Sequence, residues 1–173
     1  MTHLLLTMAA FALAAGINTA SVALQLRTGL LTRRYGNKAW YVHLATVTPA
    51  WLLFLYLLSN IGRYRGWALP EQLRPAGILI LVMACGLWLW AFTQLGPVRT
   101  ANGNIFGRGP AEPVDKGPFR LLQNPMYDSY LLAFVGLALW KANAQYFLLA
   151  LESYVLLNLL EARVENQVIS GMR

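Results

Sequence analysis

The stretch GPFRLLQNPMYDSY, residues 117–130, is the most chemically varied part of an otherwise apolar chain. Gly117 and Pro118 interrupt any preceding helix, whereas Asn124 and Pro125 are residue types favoured at the N-cap and the first position of a helix. An apolar run follows, so we predict that a helix begins at Pro125, with the Asn124 side chain capping its first N–H groups. Such a helix N-terminus attracts carboxylate or phosphate groups. The same residues also fit a plain loop between two apolar helices, and local chemistry alone leaves both interpretations open.

The composition around this stretch is that of a membrane protein. Of the 173 residues, 57% are hydrophobic and 12% are charged, a balance typical of polytopic membrane proteins. The net charge of +7 lies in segments between apolar runs, which argues against a nucleic-acid partner. His3 and His43 are too few and too separate to indicate a metal site, and Cys85 has no second cysteine to pair with. We expect an all-α bundle that forms one integral-membrane domain over residues 1–173.

The apolar segments predict about five membrane-spanning helices, of which the last two form a C-terminal helical hairpin. They are residues 4–26, 40–61, 76–95, 125–142 and 145–160. In the first, Ala12, Gly16 and Ala20 recur every four residues, which predicts a face on which another helix packs closely. Residues 96–116 are rich in Gly, Pro and Asn and lack a helical period, so they are expected to form an ordered or lid-like loop.

The basic residues predict the orientation of these spans. If the first connecting loop lies in the cytoplasm and the spans alternate, ten Lys and Arg residues fall inside and four outside, the bias expected of cytoplasmic loops. The N-terminus then lies outside, and the C-terminus and residues 117–130 lie in the cytoplasm. The membrane would be a bacterial inner membrane or an equivalent one.

The signature residues carry a family resemblance. GPFRLLQNPMY, residues 117–127, resembles the Gly-Pro-Tyr-Arg…Arg-(His/Asn)-Pro-x-Tyr signature of the small integral-membrane methyltransferases, a group that includes isoprenylcysteine carboxyl methyltransferases and bacterial phospholipid N-methyltransferases. EARVENQVI, residues 161–169, is similar to the Glu-Glu segment that follows a helical hairpin in that family. The resemblance runs from about Trp88 onward. It implies that residues 1–75 are N-terminal helices, that residues 76–173 are the catalytic core, and that S-adenosylmethionine is the cofactor.

The resemblance also implies a cytoplasmic cofactor pocket between the two signature segments. Its catalytic residues would be Tyr127, Glu161 and Arg120. Its cofactor-binding residues would be Val114, Gly117, Phe119, Arg120, Gln123, Asn124, Pro125, Tyr127, Glu161 and Glu165. On an α-helix Glu161 and Glu165 share a face, which Tyr154 and Asn158 extend toward the membrane. The chain departs from the family pattern at Gln123, where Arg is usual, at Asn166, where the second Glu would stand, and after Arg173, where a Phe-Gly-x-x-Tyr tail often follows.

The implied reaction is methyl transfer to a lipid-like or hydrophobic small molecule that arrives from the bilayer. The protein would mainly orient donor and acceptor and exclude water, and Tyr127, Asp128 or a glutamate would help an amine or thiol lose its proton. Reaction at oxygen, nitrogen, sulfur or carbon stays open. Two alternatives remain: an NADPH-dependent membrane enone or sterol reductase, which carries a similar Arg-x-Pro-x-Tyr element, and a non-catalytic membrane scaffold or lipid binder.

Glu152 is an ionisable residue near the middle of the last predicted span. A charged side chain at that depth is unfavourable by about 2.5 kcal/mol or more. We therefore expect either a buried hydrogen-bond partner on another span, with Asn18 and Thr48 as candidates, or an opening toward the acceptor.

Overall fold

A computed structural model describes residues 2–61, 67–109, 112 and 114–161, without the side chains of Leu160 and Glu161. The predicted all-α class is confirmed, since the described residues form helices and no strand. The α-helices are α1 (Thr2–Thr28), α2 (Leu30–Tyr35), α3 (Ala39–Ile61), α4 (Arg74–Thr100), α5 (Pro125–Trp140) and α6 (Gln145–Ser153). A π-helical segment, Tyr154–Glu161, continues α6. Short 3₁₀ turns lie at Gly36–Lys38, Glu71–Leu73, Gly103–Phe106 and Gly117–Arg120.

Three helical stretches of the described chain are long and apolar enough to cross a membrane. They are Thr2–Thr28, Leu30–Ile61 and Glu71–Phe106. Helix α5 has 16 residues, a length of about 24 Å at the α-helical rise, which is less than a hydrocarbon core of about 30 Å. The three longer stretches therefore fit an all-α membrane bundle, and a total of five spans stays a prediction.

The polar stretch after the third predicted span is more helical than its composition indicates. The predicted break does fall at Gly96, whose φ of 72° and ψ of 166° kink α4. Helical structure then resumes at Pro97 and continues to Thr100, because proline is well suited to the first turn of a helix. The prediction that residues 96–116 lack helical structure is thus wrong for this first turn.

Aromatic side chains join α1, α3 and α5 in the apolar core. The ring of Phe11 lies 4.9 Å from that of Phe54 and 5.9 Å from that of Phe134, measured between centroids. The packing face of α1 also contains buried Ala14 and Ala15. This face is not the predicted small-residue stripe: Gly16 is exposed, and no atom of another helix lies within 4 Å of a Cβ placed there.

Helices α4 and α5 cross at two glycines with their backbones in contact. A Cβ built on Gly77 would lie 2.3 Å from the backbone nitrogen of Trp140 and 2.8 Å from the carbonyl oxygen of Gly136. A Cβ on Gly136 would lie 2.8 Å from Cγ of Leu81. The crossing therefore depends on the absence of side chains, as in other close helix pairs of membrane proteins.

The crossing lies near the hairpin end of the bundle, which we define as the end where α5 turns into α6 at residues 141–144. The turn there is tight, as predicted, with Ala142 at a φ of 49°. The segment before α4 is hydrogen-bonded to this turn. Ala144 N–H donates to the Trp67 carbonyl at 2.8 Å, and Leu69 N–H donates to the Ala142 carbonyl at 2.9 Å.

The opposite end, which we call the motif end, holds residues 29–38, 101–109 and 117–124. Here the segment after α4 is anchored to the α1–α3 pair. Trp40 Nε1 donates to the Ala101 carbonyl at 2.8 Å, Asn102 Nδ2 donates to Asn18 Oδ1 at 3.1 Å, and the Arg108 guanidinium lies 4.5 Å from the centre of the Tyr41 ring. Of the two predicted forms of this loop, ordered or lid-like, residues 101–108 therefore take the ordered form.

Candidate functional site

The first part of the signature, Gly117–Arg120, is a 3₁₀ turn that lies directly on α4. Gly117 has a φ of +58°, a conformation that favours glycine. A Cβ on this residue would lie 2.9 Å from Nε1 of Trp90 and 3.0 Å from Cγ of Gln94. Pro118 is buried beside it. The position of the signature loop is thus fixed by close contact of its first residues with α4.

Helix α5 begins at Pro125, as the sequence predicts, but the predicted Asn124 cap is wrong. The Asn124 side chain makes no capping hydrogen bond. Its backbone angles, φ −140° and ψ 72°, lie outside the β region that N-cap residues usually adopt. Asn124 contributes its carbonyl oxygen instead, which accepts from Asp128 N–H at 3.0 Å. The N–H groups in the first turn of α5 therefore donate no hydrogen bond to the Asn124 side chain.

The predicted site residues differ in their exposure. Arg120 and Gln123 are exposed, and Pro125 is buried. The partly buried members are Val114, Gly117, Phe119, Asn124 and Tyr127. Tyr127 packs against the apolar core. Glu161 ends the π-helical segment, its side chain is not described, and Glu165 lies outside the described residues, so the roles of both glutamates stay predictions.

One hydrogen bond joins α5 to the π-helical segment, the two elements next to the signature residues. Asn158 Nδ2 donates to Asp128 Oδ1 at 2.8 Å and so joins the π-helical segment to the first turn of α5. Glu161 follows Asn158 by three residues on the same segment. The start of α5 and the exit of the hairpin therefore meet at the motif end.

The predicted common face of Tyr154, Asn158 and Glu161 assumed an α-helical period. A π-helix has wider turns, with bonds from i to i+5, so residues four apart no longer align as they do in an α-helix. Tyr154 is 42% exposed, whereas Asn158 is partly buried against α5. The two side chains therefore have different surroundings.

A scan against protein-family models matches residues 73–172 to phospholipid methyltransferase. The chain belongs to the phospholipid methyltransferase family. The matched region is more than half of the chain and includes α4, the signature loop, α5 and α6. Neither the search of curated proteins nor the search of solved structures returned a match. The predicted family is thus confirmed, and membership implies methyl transfer in a membrane setting.

Neither Asp128 nor Asn158 was among the residues predicted to form the cofactor pocket, although Asp128 was considered as a base and Asn158 as part of the face that carries Glu161. Thirty positions separate them, and no periodicity in the sequence relates them. The available signal was their position, since Asp128 directly follows NPMY and Asn158 lies three residues before Glu161. Within the described part of the chain, no group of three His, Cys, Asp or Glu side chains could hold a metal ion.

Glu152 has no hydrogen-bond partner for one of its carboxylate oxygens. Its Oε2 atom is buried, and no described residue bonds to it. Neither expected partner, Asn18 or Thr48, bonds to this Oε2 atom, which has no hydrogen-bond partner in the described part of the chain, and Thr48 is exposed.

Replacing Glu152 by leucine should raise the thermal stability of the protein. A buried polar atom without a partner costs about 1–3 kcal/mol, and for a chain of this size each 1 kcal/mol corresponds to about 2–4 °C in Tm. Thermal unfolding of the detergent-purified Glu152→Leu variant would measure the shift. Glu112→Leu, at an exposed position, is the control, and a fall in Tm specific to Glu152→Leu would contradict the expectation.

Proposed function

We propose that this member of the phospholipid methyltransferase family transfers a methyl group from S-adenosylmethionine to a lipid acceptor at the membrane surface. The observation that carries the proposal is the Asp128–Asn158 hydrogen bond of 2.8 Å. It holds the start of α5 beside the segment that leads into Glu161, so the two elements that the resemblance assigns to the cofactor are neighbours. Family membership supports the reaction class independently.

The residue types at this junction fit the proposed cofactor. Arg120, which is exposed, and the N-terminus of α5 would bind its carboxylate, because both favour negative charge. Glu161 and Glu165 would bind its amino group and the positively charged sulfonium. When bound, the cofactor supplies an activated methyl group, and the protein contributes binding, orientation and exclusion of water.

Tyr127 would orient the bound molecules rather than take part in a covalent step. Its ring packs against the apolar core, which restricts its movement, and it lies in the first turn of α5 beside Asp128. A partly buried tyrosine in this place presents a hydroxyl from a fixed position. The remaining signature residues Val114, Gly117, Phe119 and Gln123 would shape the pocket wall.

The proposed orientation places the motif end in the cytoplasm. Contacts at this end join the first connecting loop to the segment after α4, through Arg108 and the Asn37 carbonyl at 2.8 Å. The two most basic connections therefore lie at one end of the bundle, which is the arrangement that the excess of positive charge in cytoplasmic loops requires.

S-adenosylhomocysteine should bind the detergent-purified protein, and Tyr127→Phe and Glu165→Ala should each weaken binding about fivefold to tenfold. These factors correspond to the loss of one hydrogen bond or one charge-assisted contact. Isothermal titration calorimetry would measure the dissociation constants. Tyr56→Phe is the matched control, since Tyr56 is 67% exposed on α3.

Two results would contradict this proposal. One is the absence of S-adenosylhomocysteine binding to the wild-type protein. The other is a thermal shift caused by NADPH and not by S-adenosylhomocysteine, which would favour the reductase alternative. If S-adenosylhomocysteine does bind, transfer of radiolabelled methyl groups to a lipid extract would identify the acceptor.

A further inference from the structure

We propose that a groove between α4 and the end of α5 binds one anionic phospholipid, with an acyl chain in the groove and the phosphate at Lys141 and Arg74. Five side chains line this hairpin groove: Ile78, Leu81, Val82, Cys85 and Trp140. The groove lies at the hairpin end, whereas the signature segment 117–124 lies at the motif end. The inference is therefore independent of the proposed function.

The hairpin groove is suited to a hydrocarbon chain. Its volume of about 360 Å³ is within the range of sites that hold small molecules, and its lining is apolar. Ile78 is 50% exposed and Val82 is 63% exposed, so the groove opens outward from the bundle. An apolar groove on the outside of a membrane helix faces lipid tails, and a chain seated in it gains contacts with both α4 and α5.

The depth of the hairpin groove matches one leaflet of a bilayer. Arg74, Ile78, Leu81 and Cys85 recur at helical spacing and so share a face of α4. The eleven positions from Arg74 to Cys85 correspond to about 16 Å along the helix, and half of a hydrocarbon core is about 15 Å. A lipid with its phosphate beside Arg74 therefore extends its chain along the whole groove.

Lys141 places an ammonium group at the mouth of the hairpin groove. Its Nζ atom lies 3.8 Å from the centre of the Trp140 ring, and Trp140 lines the groove. Lys141 is exposed. Among the described residues the ion pair joins Arg74 to Glu71 and does not include Lys141. The ammonium group is therefore available to an anion from the bilayer.

Arg74 supplies a second cation one helical turn from Ile78. Its Nη2 atom donates to Glu71 Oε1 at 2.9 Å, but a guanidinium has five N–H donors and readily binds phosphate. Glu71 is 76% exposed, so this ion pair is weak. Lys141, Arg74 and Glu71 together leave one net positive charge, which complements the single negative charge of a phospholipid such as phosphatidylglycerol. A zwitterionic headgroup would bring a cation of its own to the same place.

Aromatic side chains place these cations at the level of lipid headgroups. Trp67 and Trp140 are both exposed at the hairpin end, and exposed tryptophans are typical of the boundary between headgroups and hydrocarbon. Lys141 and Arg74 lie at this boundary, and the lining of the groove continues from it toward the middle of α4. The order of charge and apolar surface along the groove is thus that of a phospholipid.

Cys85 provides a direct test, because it is the single cysteine of the chain and it lines the hairpin groove. Alkylation of the detergent-purified protein by N-phenylmaleimide, followed by intact mass spectrometry, would report access to the groove. Dioleoyl phosphatidylglycerol should halve the alkylation rate at a concentration about tenfold lower than dioleoyl phosphatidylcholine, because of its net charge. Equal protection by the two lipids would overturn the proposal.

Replacing Lys141 by glutamine should remove this difference between the two lipids. Lys38→Gln is the matched control, because Lys38 is an exposed lysine at the motif end, and it should protect Cys85 as the wild type does. If both variants kept the preference for phosphatidylglycerol, or if both lost it equally, Lys141 would have no specific role and the proposal would be overturned.

Replacing Val82 by tryptophan should fill the hairpin groove and weaken binding of the first phosphatidylglycerol molecule about tenfold. Native mass spectrometry would count the bound lipids. Leu52→Trp is the matched control, since Leu52 is 60% exposed on α3. Wild-type affinity in Val82→Trp would show that no acyl chain lies in the groove. If a variant fails to fold, as judged by size-exclusion chromatography, the protection of Cys85 in the wild-type protein decides the matter.

Discussion

Replacing Gly77 by alanine should lower the melting temperature of this protein by roughly 10 °C. The new Cβ would lie 2.3 Å from the backbone nitrogen of Trp140 and 2.8 Å from the Gly136 carbonyl oxygen. Neither atom belongs to a side chain that can rotate away, so α4 and α5 would have to separate. Overpacking costs about 1–3 kcal/mol, and a contact with backbone belongs at the upper end of that range, which corresponds to the stated shift.

Gly86→Ala is the matched control for this substitution. Gly86 lies on the same helix α4, and no atom lies within 4 Å of a Cβ placed there. Alanine is the better helix former by about 1 kcal/mol, so this variant should be as stable as the wild type or more so. Thermal unfolding of both variants in the same detergent provides the comparison. Equal melting temperatures would show that the glycine crossing does not hold α4 and α5 together.

Replacing Gly117 by alanine should weaken S-adenosylhomocysteine binding at least about tenfold. At a φ of +58°, alanine is strained by roughly 1–2 kcal/mol. Its Cβ would also lie 2.9 Å from Nε1 of Trp90 and 3.0 Å from Cγ of Gln94. Both effects push the signature loop away from α4, and a displacement of a binding loop by even a fraction of an ångström disturbs its contacts.

Gly107→Ala isolates the contribution of strain. Gly107 has a φ of +75°, and a Cβ there would have open space around it. This variant should lose stability by a similar strain energy but keep its affinity for S-adenosylhomocysteine. Calorimetry and thermal unfolding of the two variants would measure both quantities. If Gly117→Ala binds as tightly as Gly107→Ala, the signature loop is not positioned by its contact with α4.

Local residue chemistry was sufficient to predict where several elements begin and end. The start of α5 at Pro125, the break at Gly96 and the turn after Trp140 all appear in the structure. The first two depend on a residue whose own backbone preference dominates, because proline fixes φ and glycine tolerates positive φ. The all-α class followed equally directly from the apolar composition.

Side-chain partnerships were predicted poorly. Asn124 was expected to cap α5, but its backbone angles prevent this. Ala12, Gly16 and Ala20 were expected to form a packing face, but α3 packs on the neighbouring face that contains Phe11. In both cases the sequence names a residue type that is suitable for a role. Whether the residue takes that role depends on its backbone angles, as for Asn124, or on the side from which a neighbouring helix packs, as for Gly16.

The sequence by itself determined the membrane class, the order of the helices, their principal ends and the family signature, because these depend on composition and on residues near one another in the chain. The tertiary structure alone decided that Asp128 meets Asn158, that residues 101–108 rest on the α1–α3 pair, and that Gly77 crosses Gly136. These contacts join positions far apart in sequence. They arise from how whole helices pack, and packing depends on all neighbouring surfaces together, which no local pattern of residues records.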